Sequence, residues 1–175
     1  FVYGAAIENG YTPCFELPDV PVTFQVVGDP PTWTPPNSDG KHSQEMMTIR
    51  KAMANSINSI TANVMKRIGA QTVVNFAHKV GITSHLDAVP SLCLGTSDVS
   101  IFELSAAYST FANEGIATEP YFITKIEDKN GNVIQNFVPK TKQAISEETA
   151  YIMLHMLKGG IEEVGGTSRG LSWEL

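Results

Sequence analysis

Apolar residues recur at helical spacing over most of the chain, and the breaks between them carry as much information as the runs. At the start, Phe1 and Ala5, with Val2 and Ala6, share i, i+4 spacing up to Gly10, so residues 1 to 9 read as the end of a helix that is expected to begin before the chain does. From Tyr11 to Lys41 the pattern gives way to prolines and glycines, with "VTFQVV" as one candidate strand in a long connection of the kind that wraps a surface or serves function. Helical period returns at Met46 and continues to Ile68, with Ile49 and Met53 on one stripe and Ile57, Ile60, Val64 and Ile68 on another. Gln71 to Val80, closed by Gly81, is a short helix carrying Val74, Phe76 and Ala77. "SLCLGTSD" is then expected to be a loop.

Ser100 and Glu103 stand three apart as a capping box does, and Ile101, Leu104, Tyr108 and Phe111 follow as one face of a helix ending near Gly115. "YFITKIEDKNGNVIQNFV" is the clearest hairpin signal, with Asn130-Gly131 as the tight turn. Ser146 is expected to cap a last helix reaching about Leu157, with Glu147 and Glu148 in its first turn, Lys158 near its end and Gly159 just beyond. The sum is an α+β pattern, mostly helical with one hairpin.

Composition narrows the function classes. With 12 basic and 18 acidic residues among 175, a net charge of −6 and no run of like charge, the chain lacks the basic footprint of a nucleic-acid binder. No window approaches the roughly 18 consecutive apolar residues of a membrane span. Cys14 and Cys93 lie far apart, and His42, His78, His85 and His155 are scattered without metal-like spacing, so neither a metal nor another cofactor is expected.

One interruption stands out. Within "KAMANSINSITANVMKRIG", Asn55-Ser56-Ile57-Asn58 sets small polar side chains into a helical run. Ser and Asn compete for backbone hydrogen bonds, so the four residues could simply end one helix and cap the next. The sharper alternative, which spacing alone does not favour, is that they aim a hydroxyl and a carboxamide at a substrate, a pair able to pass a proton and hold an amide.

The surrounding residues favour the second reading through a resemblance. "TIRKAMANSINSITANVMKRIG" resembles the S-x-N region of the penicillin-binding transpeptidases, in particular the class A bifunctional proteins, whose motif triplet is S-x-x-K, S-x-N and K-T-G. "FVYGAAIENGYTP" is similar to the family's helix after the S-x-x-K nucleophile, and "WTPPNSDGK" (33 to 41) to its W-x-P-x-N-x-D-G segment. "PSLCLGTSDVSIFELSAAYSTFANEG" resembles its P-S-x-x-L-G loop and A-Y-x-T-F-A-N-x-G helix, and "GGTSRGL" the stretch before K-T-G. The order is collinear over nearly the whole chain.

The resemblance implies the helical part of a penicillin-binding transpeptidase or serine β-lactamase-like fold, with residues 1–175 a single transpeptidase domain truncated at both ends. It implies that Ser56 relays a proton between the S-x-x-K lysine and the departing D-alanine amine, and that Asn58 holds the acyl-donor peptide and the lysine. Trp33 and Thr167 are weaker candidates for substrate contact; Trp33 is read first as a packing residue and Asn37 as a holder of its own loop. The nucleophile is expected before Phe1 and K-T-G after Leu175, with neither motif among these residues. Stem peptides of peptidoglycan and β-lactams are the implied partners of the full domain, on the outer face of a bacterial cytoplasmic membrane, with a membrane helix preceding it in the parent protein. The isolated chain is expected to be inactive and to self-associate through uncovered apolar surface. The rival readings are a noncatalytic module that kept the fold, and a β-lactamase or sensor relative, which the W-x-P-x-N and A-Y-x-T-F-A-N segments disfavour.

Overall fold

A computed structural model describes residues 1–173. Its helical core is organised around α1 (Val2–Glu8), in which Val2, Tyr3, Ala5, Ala6 and Ile7 are all buried. A helix buried on nearly every side needs small residues to admit its neighbours. Gly4 supplies one: a Cβ there would stand 2.6 Å from the Phe76 ring. Around α1 pack α3 (Asn58–Ile68), α4 (Ala70–Val80) and α6 (Glu147–Glu162), while α2 (Ile49–Ala54) lies against α6 and α5 (Ile101–Ala112) against α4 and α6. Ile60, Val64, Met65, Val80, Phe111 and Met156 join the α1 residues in one continuous core.

The connection from Tyr11 onward is bound by short antiparallel pairs. β1 (Glu16–Pro18) pairs with β4 (Met46–Thr48), and β2 (Phe24–Gln25) with β3 (Thr32–Trp33). Only two residues of "VTFQVV" are strand. The helix expected from Met46 instead begins at Ile49, because residues 46–48 pair with a segment thirty positions earlier. Thr48 then caps α2, its hydroxyl accepting from the Lys51 amide at 3.2 Å.

The capping box at α5 is present, Ser100 Oγ accepting from the Glu103 amide and Glu103 from the Ser100 amide. Glu103 also receives the amides and hydroxyls of Thr83 and Ser84, with the Thr83 hydroxyl foremost in holding its carboxyl well below the usual range. The buried face of α5 is Ala106, Ala107, Thr110 and Phe111, whereas Ile101 is 83% exposed and Tyr108 48%, so the expected apolar stripe is only partly inward. "SLCL" is a turn of 3-10 helix, Pro90–Leu94, rather than open loop.

Ser146 caps α6 as expected, accepting from the Thr149 amide at 3.1 Å. The helix does not stop before Gly159; it continues to Glu162. The Arg50 side chain explains the extension, since its guanidinium pairs with Glu162 and Glu163 and its Nε donates to the His155 carbonyl, tying the last turns of α6 to α2.

Residues 116 to 143 form one long two-stranded arm. β5 (Ile116–Thr118) pairs with β8 (Thr141–Gln143), and beyond them β6 (Lys125–Glu127) pairs with β7 (Val133–Asn136). At its tip Gly131 alone has positive φ, and its amide donates to the Asp128 carbonyl at 3.1 Å. That is a three-residue loop with a left-handed glycine, not the two-residue turn with both residues at positive φ. No helix among the described residues is long and apolar enough to cross a membrane.

Candidate active site

The polar interruption is a helix-to-helix junction of defined geometry. α2 ends in a Schellman motif: the Ser56 amide donates to the Met53 carbonyl at 3.2 Å and the Ile57 amide to the Ala52 carbonyl at 2.9 Å. The motif needs a left-handed residue after the cap, a place usually held by glycine. Here it is Ser56, at φ 55. An L-residue with a side chain is strained in that region by about 1–2 kcal/mol. Ser56 is exposed, and its hydroxyl has no hydrogen-bond partner among the described residues.

The side chains of Ser56 and Asn58 are therefore not what caps the two helices. The N-cap of α3 is Ile57, which has no side-chain hydrogen bond to offer. The missing acceptor comes from far away in sequence: Asn37 Oδ1 accepts from the Ser59 amide at 3.0 Å. Asn58, the first residue of α3, points its carboxamide outward, and its Nδ2 donates to the Pro36 carbonyl at 2.9 Å. Only a donor can face a carbonyl, so that bond fixes which end of the amide is which. Asn58 Oδ1 and the second Nδ2 hydrogen remain available.

Asn37 does hold its own loop, as expected, through Nδ2 to the Lys41 carbonyl at 2.8 Å. It also reaches Asp19 Oδ1 at 2.9 Å, which sequence reasoning did not single out. A recess of about 480 Å³ opens beside the junction, lined by Asn55 and Ile57 from the turn and by Asn37, Lys41 and His42 from the loop. Asn55 Oδ1 is buried without a donor among the described residues.

Thr167 joins the junction. Its amide and hydroxyl both donate to the Ala54 carbonyl, at 3.0 and 3.3 Å, two residues from Ser56. Close approach of the loop requires Gly166, where a Cβ would lie 2.4 Å from the Gly160 carbonyl oxygen. Trp33 is placed elsewhere. Its ring packs on Phe24 with centroids 5.6 Å apart, and it lines a separate groove with Val26, Val27, Val89 and Pro90.

An S-x-x-K spelling does occur, against the expectation that the pattern is missing from these residues. It is Ser38-Asp39-Gly40-Lys41. The pattern works at the head of a helix, where i and i+3 share a face. Here it lies in an exposed turn, with Gly40 at φ 71, the Gly40 amide on the Asn37 carbonyl and the Lys41 amide on Asp39 Oδ1. Ser38 and Lys41 are thus not arranged as nucleophile and base.

The penicillin-binding protein transpeptidase domain model matches residues 1–175. The chain belongs to that family. It is 33% identical to penicillin-binding protein 2D of Bacillus subtilis over 158 residues, and 33% identical to penicillin-binding protein 1A of Aquifex aeolicus over 174. Those matches cover 90% and 98% of this chain, which spans 23% of the length of each relative. Among solved structures, penicillin-binding protein 1A from Haemophilus influenzae superposes with a TM-score of 0.90 at 25% identity, covering 99% of this chain and 31% of that one. The penicillin G acyl-enzyme complex of penicillin-binding protein A from Mycobacterium tuberculosis superposes at 0.75 and 20% identity, covering 90% of this chain and 41% of that one, a likeness of fold alone. The penicillin-binding fold, α+β with helices and small paired strands, is the fold observed here.

Proposed function

We propose that residues 1–175 are the central part of a serine D,D-transpeptidase domain that cross-links peptidoglycan stem peptides, with Ser56 as proton relay and Asn58 as the amide that holds the acyl donor. The observation that carries this is the junction itself: a hydroxyl without a partner among the described residues, held in a left-handed backbone two residues from an amide clamped by the Pro36 carbonyl. Strain of this kind persists where the surrounding structure imposes it, and it clusters at functional sites.

The nucleophilic serine, its lysine and the K-T-G strand would come from polypeptide outside these residues, on the outer face of a cytoplasmic membrane to which the parent protein is anchored. That serine attacks the carbonyl of the penultimate D-alanine, and the C–N bond to the terminal D-alanine breaks. The departing amine takes a proton passed through Ser56, whose hydroxyl accepts one as it gives one. An acceptor amine then attacks the ester, its proton leaves by the reverse route, and the serine is restored. Asn58 offers a donor and an acceptor to the donor peptide's backbone throughout. Thr167 is bonded to the Ala54 carbonyl, two residues from Ser56, whereas Trp33 lines a separate groove, so Thr167 is the better candidate for substrate contact.

The test is labelling of the full-length protein by a fluorescent penicillin, followed by denaturing electrophoresis. Wild type is expected to take the label, Ser56→Ala and Asn58→Ala to take it more slowly by about a hundredfold or more, and residues 1–175 alone to take none. A full-length protein that stays unlabelled refutes the enzyme and favours the noncatalytic module; variants acylated at the wild-type rate refute the residue assignments.

A further inference from the structure

Asp19 is 3% exposed, yet the proton relay does not use it. It lies just after β1, forty residues before the α3 side chain it meets. Its Oδ1 accepts from Ser59 Oγ at 2.6 Å and from Asn37 Nδ2 at 2.9 Å, with His42 Nδ1 at 3.2 Å; its Oδ2 accepts from the Ser43 amide at 2.8 Å. Burial raises such a carboxyl's pKa, but the donors from Ser59, Ser43, Asn37 and His42 outweigh it and hold the group well below the usual carboxylate range. A buried charge so fully partnered fixes the orientation of everything bonded to it.

The consequence runs through Asn37. A carboxylate only accepts, so Asp19 faces the NH2 end of the Asn37 amide and turns its oxygen toward α3. That oxygen is the acceptor for the Ser59 amide. One residue earlier, the Pro36 carbonyl holds Asn58 Nδ2. Asp19 therefore grips the first turn of α3 twice, directly at the Ser59 hydroxyl and through Asn37 at the Ser59 amide, and it anchors the loop whose carbonyl aims Asn58.

We infer that Asp19 is a positioning residue for Asn58, acting through Asn37 and Ser59. The inference rests on the reading of Asn58 as the substrate-holding amide. Asp19→Asn keeps the volume but must set an NH2 group against donors on one side, either the Ser43 amide or the Ser59, Asn37 and His42 cluster. The hold on Asn37 and Ser59 therefore weakens, and the Lys41 carbonyl is left as the firmer partner of Asn37 Nδ2.

The experiment uses the full-length protein and two readouts. In the first, acylation by fluorescent penicillin is measured for wild type, Asp19→Asn, Asn58→Ala and the double variant. Misplacement of a substrate-holding group slows reaction on the order of ten- to a hundredfold, and that loss is expected in Asp19→Asn but not when the same change is made on top of Asn58→Ala. A merely structural loss would lower both backgrounds equally, and that additive result overturns the proposal. Ser59→Ala removes the 2.6 Å bond while keeping the Asn37 cap; should Asp19→Asn fail to fold, the same coupling is read from it. In the second, hydrogen exchange at the Ser59 amide is expected to quicken at least tenfold in Asp19→Asn, and unchanged protection overturns the proposal. If wild type takes no label, the enzyme reading fails, and the exchange measurement still decides whether Asp19 fixes the turn.

Discussion

Replacing Ser56 by glycine is expected to make the protein more stable and less active at once. At φ 55 the Ser56 side chain costs about 1–2 kcal/mol relative to a relaxed backbone. Glycine removes that cost and keeps both Schellman hydrogen bonds, which are made by backbone amides. Against it stands the greater freedom of glycine in the unfolded chain, about 0.5–1 kcal/mol. The net gain is about 0.5–1 kcal/mol, or a rise of roughly 2 °C in unfolding temperature for a domain of this size. Ser56→Ala separates backbone from hydroxyl: it loses the same oxygen but keeps the left-handed strain. The assay is thermal and urea unfolding of the two variants beside wild type, together with acylation by fluorescent penicillin. Both variants should lose acylation alike, and Gly should be more stable than Ala by about 1 kcal/mol. Equal stability of the two would refute the claim that strain is stored at this residue.

Other perturbations test other parts of the structure. Gly4→Ala sets a methyl 2.6 Å from the Phe76 ring and should destabilise by about 1–3 kcal/mol in urea unfolding, with Phe76→Leu restoring much of the loss. Asp19 has its carboxyl depressed in the fold, so the stability it contributes is present above the unfolded carboxyl value, near 4, and disappears as pH falls toward the lower folded value. Asp19→Asn should therefore be less stable than wild type at neutral pH, and the gap should narrow as unfolding is measured at lower pH. The arm exposes Phe122, Ile134 and Val138, at 85%, 65% and 81%, so residues 1–175 alone are expected to self-associate, and Phe122→Lys with Val138→Lys to reduce the mass seen by light scattering.

What could be read from the sequence was what local chemistry decides. Ser100 with Glu103, Ser146 with the Thr149 amide, and the α4 stop at Gly81 are settled within a few residues, and each is found in place. Met46–Thr48 has helical spacing but is claimed by a strand partner at Glu16–Pro18, a pairing no local window contains. Gly159 looks like a stop, and α6 passes through it because Arg50, more than a hundred residues earlier, pairs with Glu162 and Glu163.

At the candidate site the residue types were legible and their backbone was not. Ser56 and Asn58 stand out by polarity, and the collinear motifs supplied their family. Neither indicates that Ser56 occupies a glycine's place, or that the cap of α3 is borrowed from Asn37. Asp19 gave no signal at all, being one carboxylate in a proline-rich connection, and its partners come from three segments. A lone acidic residue flanked by prolines could have been flagged only by asking what compensates it once buried.

The long arm from Ile116 to Gln143 has a practical consequence. Its tip is a self-contained loop, closed by Asp128 accepting from the amides of Asn130, Gly131 and Asn132, and residues 129 to 143 are all exposed. Exposed loop tips are where chains accept inserted sequence best. A short epitope or fluorophore tag placed between Asn130 and Gly131 is thus suited to tracking the parent protein in living cells, without altering the junction that carries Ser56.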